Sequence, residues 1–102
     1  MTANEYQEVV REVRLPSADF SYAMLGLSGE VGELHSKVAK GLRDGNAPEV
    51  GEMTKELGDV LWFVAALADD FGVTLEELMD QNAVKLLSRK TRGVIGGSGD
   101  DR

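Results

Sequence analysis

Four acidic residues fall into two pairs with the same spacing, Glu30/Glu33 and Glu56/Asp59. Three residues is close to one helical turn, so each pair places two carboxylates on one helix face. Where two such faces meet, four carboxylates share one volume. Like charges a few ångströms apart either raise one another's pKa or require a cation. An all-oxygen donor set suits Mg²⁺, with Mn²⁺ as a substitute. These hard ions take carboxylates and keep waters that phosphate oxygens can replace. A single acidic pair on a helix is most often a solvated face. The match between the two pairs is what singles them out.

Two apolar seams are placed to bring the faces together. One runs Phe20, Met24, Leu27, Val31, Leu34, Val38; the other runs Met53, Leu57, Val60, Val64, Leu67, Phe71. Both step by alternating threes and fours, the spacing of a narrow helical stripe. Taken from their outer ends inward, the seams are equidistant from a point between Gly45 and Asn46, inside the turn-forming run Arg43-Asp44-Gly45-Asn46-Ala47-Pro48. This predicts an antiparallel helical hairpin with the seams zipped together. At about 100° per residue each acidic pair lies on the same angular side of its seam. An antiparallel pairing sends both flanks to one side, at matching heights. All four acids are therefore expected in one cluster.

The remaining elements follow in order. Thr2 to Arg14 predicts a first helix, with Tyr6, Val9, Val10 and Val13 as its apolar face and Thr2 or Asn4 as cap. Leu15-Pro16-Ser17 ends it, and Ser17 or Asp19 caps the second helix, expected to reach about Leu42. The third spans about Glu49 to Phe71, closed by Gly72. Thr74 and Glu77 form a capping box that opens a fourth helix running to about Arg89. The fold class is all-α, with a glycine-rich tail over about residues 90–102. That tail is either disordered or a strap docked on a neighbouring subunit or over bound phosphates.

Composition narrows the function classes. The chain has 102 residues, 42% of them hydrophobic, which suits one small domain over residues 1–102. It carries 18 acidic against 11 basic residues, a net charge of −7 that disfavours binding a nucleic-acid polymer. A small phosphorylated ligand with a divalent cation stays compatible. No apolar run reaches the length of a membrane span, no signal-peptide pattern opens the chain, and there are no cysteines. These features fit a cytoplasmic protein.

Several further residues carry two readings. Tyr22, Leu25, Gly29, Gly32, Ser36 and Ala39 form a second, small-residue stripe on the second helix. Interior glycines cost about 1 kcal/mol each against alanine, so close packing, a subunit interface or ligand clearance must offset them. Phe63, one turn from Asp59, suits either the core or a bound base. Trp62 suits packing or an interface, and His35 packing or surface. Lys37, one turn beyond Glu33, either offsets that charge or contacts substrate. Asn82, Lys85 and Arg89 share one edge of the fourth helix, where an amide and two cations could hold phosphate oxygens.

The run Gly26-Leu27-Ser28-Gly29-Glu30-Val31-Gly32-Glu33-Leu34, followed by Glu56-Leu57-Gly58-Asp59-Val60-Leu61-Trp62, resembles the MazG-like all-α nucleoside triphosphate pyrophosphohydrolases. Their core pattern is ExxE, a variable gap, then ExxD. The similarity extends through Asn82-Ala83-Val84-Lys85-Leu86 and from Arg92-Gly93 to Gly99-Asp100. Many members carry one more acid just before the first motif glutamate; Gly29 stands there, as in the GExGE-type subgroup, leaving four acids. The resemblance implies a four-helix MazG-like bundle forming a homodimer or dimer of dimers. It also implies Mg²⁺ on Glu30, Glu33, Glu56 and Asp59, and phosphates approached by Asn82 and Lys85. The implied reaction converts a nucleoside triphosphate and water to the monophosphate and pyrophosphate, with Glu30 or Glu33 activating the water. A phosphoribosyl-ATP pyrophosphohydrolase is a related alternative, and a non-catalytic metal-binding helical oligomer is one of a different class.

Overall fold

The computed structural model describes residues 1–102 and consists of four helices with no strand: α1 Ala3–Val13, α2 Phe20–Asp44, α3 Val50–Asp70 and α4 Leu75–Thr91. Each start has a local cause. The Thr2 hydroxyl accepts from the Glu5 amide, 3.1 Å, while the Glu5 carboxylate accepts from the Thr2 amide. Asp19, not Ser17, caps α2 by accepting from the Tyr22 amide at 3.0 Å. Thr74 and Glu77 form the same reciprocal box at α4. α2 runs two residues past its expected end, to Asp44, because Gly45 at φ 71° supplies the left-handed cap that stops it.

α2 and α3 pack as an antiparallel hairpin in the register the seams predict. At the open end the rings of Phe20 and Phe71 meet edge to face at 5.7 Å. Nearer the middle, Phe63 of α3 lies against Gly26 of α2, its ring carbons filling the space a side chain at 26 would need. The glycine is therefore spent on an aromatic contact within the chain. Gly29 and Gly32 are different: a Cβ at either would meet no atom within 4 Å, and Leu25 beside them is 75% exposed. No other helix of this chain packs closely on Gly29 and Gly32, so intrachain packing, one of the readings above, does not account for these two glycines.

The hairpin seam is also not where the core is deepest. The buried apolar cluster is Val10, Ala23, Phe63, Ala65, Ala66, Leu67, Ala68 and Leu75, so it gathers where α1 and the start of α4 close on the second half of α3. Leu57, Met24 and Phe20 on the seam stay about half exposed. α3 is the shared element: α1, α2 and α4 all pack on it, and α4 does not reach α2.

α1 buries a stripe that apolar patterning misplaces. Val9 and Val13 are exposed, whereas Gln7 and Val10 are fully enclosed and Arg14 is partly so. Gln7 can be buried because every polar atom of its amide is paired. Its Nε2 donates to Asp69 Oδ1 at 2.8 Å and the Val73 carbonyl at 3.0 Å, and its Oε1 accepts from the Leu75 amide at 2.8 Å. Arg14 forks onto Asp70 and also donates to the carbonyls of Ala66 and Ala18. Arg11 forks onto Asp69 in the same way. Gln7 thus ties α1 to both the end of α3 and the start of α4. Gln7→Leu keeps the volume but leaves those partners unpaired. It is expected to lower the unfolding free energy by about 1–3 kcal/mol in urea titrations followed by Trp62 fluorescence, whereas an unchanged midpoint would contradict the clasp.

Candidate metal centre

The hairpin register sets the site. Glu30 on α2 faces Glu56 and Asp59 on α3, and each contributes a carboxylate oxygen to a group lying within 4.8 Å of one another. Glu30 and Glu56 are half-buried and Asp59 is exposed. Glu33 lies outside this trio, on the exposed side of α2, and acts on Glu30 only through its charge. The physical reason is angular. Three residues fall short of a full turn by about 60°, so two acids three apart flank a line on the helix and their carboxylates need not reach equally far into the site. α3 brings both of its acids in; α2 brings one.

Burial, the contact with Glu56 and the charges of Asp59, Glu56 and Glu33 together push the Glu30 carboxyl above its ordinary pKa. The one cation at the cluster is Lys37, whose Nζ lies 3.3 Å from Glu56 and 3.8 Å from Glu52. These contacts across the hairpin, led by the one to Glu56, raise the Lys37 pKa. A single ammonium at the edge leaves the trio with excess negative charge. Three oxygens from three carboxylates at this separation fit a hard divalent cation that keeps further positions for water.

A cavity of about 310 Å³ opens beside the acids, lined by Tyr22, Glu30, Asp59, Trp62 and Phe63. Phe63 is buried, so it is a core residue that also forms the cavity wall. Its ring stands 5.1 Å from Trp62 and 5.9 Å from Tyr22. The grouping of Tyr22 and Trp62 with the acids is not apparent from spacing along either seam. Gly26 admits the Phe63 ring, which contacts both of them. Tyr6 of α1 also comes near: burial and then the Asp59 charge raise its phenol pKa.

The α4 edge lines cavities other than the one beside the trio. Asn82 is exposed and shares a larger, mostly apolar cavity of about 680 Å³ with Tyr6, Leu61, Leu78 and Met79. Lys85 donates to Asp100 Oδ1 at 2.8 Å, and the buried Arg89 contacts the Asp100 carbonyl and, at 3.2 Å, its carboxylate. The tail therefore folds back on α4 of its own chain.

The chain is all-helical, and its central hairpin gathers one carboxylate of the ExxE pair and both of the ExxD pair beside an aromatic cavity. The sequence profile of the MazG nucleotide pyrophosphohydrolase domain matches residues 1–94, and the chain belongs to that family. It is also 49% identical over 86 residues to the Gene 37 protein of Mycobacterium phage L5, covering 80% of this chain and 75% of that protein. No solved structure matches it significantly.

The raised Glu30 pKa has a consequence for stability. Above that pKa the folded chain carries an ionised carboxylate it holds less well than the unfolded chain does. The penalty is complete above the folded-state pKa and fades as pH falls through it toward the unfolded value. In chelator at pH 7.5, Glu30→Gln is expected to melt a few degrees higher than the parent, with the gap closing as the pH is lowered to the ordinary carboxylate range. A lower melting point at pH 7.5 would contradict the crowding of the trio.

Proposed function

We propose that the chain is a Mg²⁺-dependent nucleoside triphosphate pyrophosphohydrolase, converting an NTP or dNTP to the monophosphate and pyrophosphate, with Mn²⁺ able to substitute. The observation that carries this is the meeting of Glu30, Glu56 and Asp59 within 4.8 Å in a chain of the MazG family. Those three carboxylates would hold the cation. When bound, it would supply charge neutralisation of the triphosphate and a polarised phosphoryl centre.

The chain's own groups have separable roles. Glu33 is exposed and outside the trio, which leaves its carboxylate free to orient and deprotonate a water aimed at the α-phosphorus. Glu30, shared within the trio, serves less well as that base. Lys37, released from Glu56 once the acids are neutralised, can turn to phosphate oxygens. Asn82, Lys85 and Arg89 supply an amide and two cations for the remaining phosphates. The base would enter the cavity beside Glu30 and Asp59, with Trp62 and Tyr22 as stacking partners.

The account includes a second copy of the chain, as a homodimer or dimer of dimers. Only 10 of 102 residues are buried, and the radius of gyration is 16.5 Å, against about 13 Å for a compact domain of this length. Leu25, Leu57, Leu61, Val84 and Leu87 stand exposed on α2, α3 and α4, where partner helices would cover them. No helix is long and apolar enough to cross a membrane, and a cytoplasmic site of action is part of the same reading.

The test is pyrophosphate release from a panel of ribo- and deoxynucleoside triphosphates, with and without Mg²⁺. Release is expected for at least one nucleotide and only with the metal. Glu33→Gln should lower kcat by about 10²–10⁴-fold while Mn²⁺ binding persists, and Glu56→Gln should lose both. Full activity in the Glu33→Gln/Glu56→Gln double variant would refute the assignment. No turnover on any nucleotide would leave a non-catalytic helical oligomer.

A further inference from the structure

The tail is bound to α4 by charge, not by apolar burial. After Thr91 the chain turns at Gly93, φ 72°, and the Val94 amide donates back to the Arg89 carbonyl at 2.8 Å. Beyond Val94, Ile95 is 52% exposed. The loop is closed by Arg102, whose guanidinium donates to the carbonyls of Val94, Ile95, Gly96 and Gly99 at 2.7–3.2 Å. Besides a bond from Arg92 to the Arg102 carbonyl, what fastens this loop to the helix is Asp100, seated on Lys85 and Arg89.

Asp100 is an imperfect occupant of that seat. The Arg89 side chain is only 6% exposed, so its charge depends on the partner it is given. Yet Asp100 engages only one terminal nitrogen of the guanidinium, and the buried Arg89 Nε has no acceptor at all. Asp100 itself is 78% exposed and is held in place by these two cations. A tetrahedral oxyanion has more oxygens and more charge. It can accept from Lys85, from the Arg89 terminal nitrogen and from Nε together, which a planar carboxylate placed as Asp100 is does not do.

We propose that Lys85 and Arg89 form an anion seat that the chain's own Asp100 fills as a displaceable stand-in for phosphate oxygens, so that residues 94–102 lift from α4 when an oligophosphate binds. The tail is then an intramolecular competitor: it neutralises a buried arginine in the empty protein and weakens phosphate ligands by the fraction of time it is docked. This rests on the reading in which α4 receives the phosphates, but not on the acids that would perform the hydrolysis. Asn82 and Lys85 also line a cavity of about 300 Å³ with Asp100 at its wall, so displacing Asp100 enlarges the space beside both side chains.

The experiment is a titration of the full chain with inorganic pyrophosphate in metal-free buffer, read by calorimetry and by ¹⁵N heteronuclear NOE of residues 94–102. In the parent chain pyrophosphate should bind and the tail NOE values should fall. In Asp100→Asn the tail should be mobile without ligand, and pyrophosphate should bind about two- to fivefold tighter, the range expected for removing an ion-pair competitor whose carboxylate is exposed. Lys85→Met, a change at a partly exposed position, should also free the tail but weaken pyrophosphate. Equal affinity in parent and Asp100→Asn, a tail that stays ordered when pyrophosphate binds, or no binding to either chain would each overturn the proposal. Nucleotide hydrolysis alongside such a failure would leave the catalytic reading standing. A tighter Asp100→Asn complex without any hydrolysis would do the reverse.

Discussion

The antiparallel register of α2 against α3 is the constraint on which everything else depends. Glu30 meets Glu56 and Asp59 only because the helices are locked along their length. Phe20 on Phe71 fixes the open end, Phe63 over Gly26 fixes the middle, and the Gly45 turn fixes the closed end. A shift of one residue would rotate Glu30 by about 100° and take it off the α3 acids. The same contact between Phe63 and Gly26 builds the wall of the adjoining cavity. Packing and site are therefore one arrangement seen from two sides.

That arrangement divides the molecule by what each part is asked to do. The dense cluster lies where α1 and α4 close on the second half of α3, around Val10, Ala66 and Leu75, and it is reinforced by the Gln7 clasp and the two arginine–aspartate forks. The acids sit toward the thinner half of the hairpin, where Lys37 is the nearest positive charge. Crowding carboxylates costs stability, and the apolar end offsets it. A divalent ion in the trio would remove the cost locally, which couples ligand binding to the rigidity of the hairpin.

Much of this was legible along the chain, for reasons that differ by residue. The hairpin could be read because its seams are mirror-placed about a strong turn, and the caps because Thr2, Asp19 and Thr74 act on amides only a few residues away. The pairing of Glu30 with Glu56 and Asp59 follows from that register. What could not be read depends on partners far apart in sequence. Gln7 looks like a surface residue until Asp69, Val73 and Leu75 are brought around it, and Val9 and Val13 look inward-facing until that polar stripe displaces them. Arg89 and Lys85 share a helix edge by spacing, but their shared contact with Asp100 requires the tail to double back. Glu33 lies outside the trio although its spacing from Glu30 equals that of Asp59 from Glu56, so spacing along the chain does not fix how far each carboxylate reaches.

Anomalous diffraction from crystals soaked in Mn²⁺ tests the central claim most directly. The account predicts a peak within coordination distance of carboxylate oxygens from Glu30, Glu56 and Asp59 together, with Glu33 left outside or joined through water. A peak held by other residues, or Glu30 turned away from the two α3 acids with the ion on one helix alone, would contradict it.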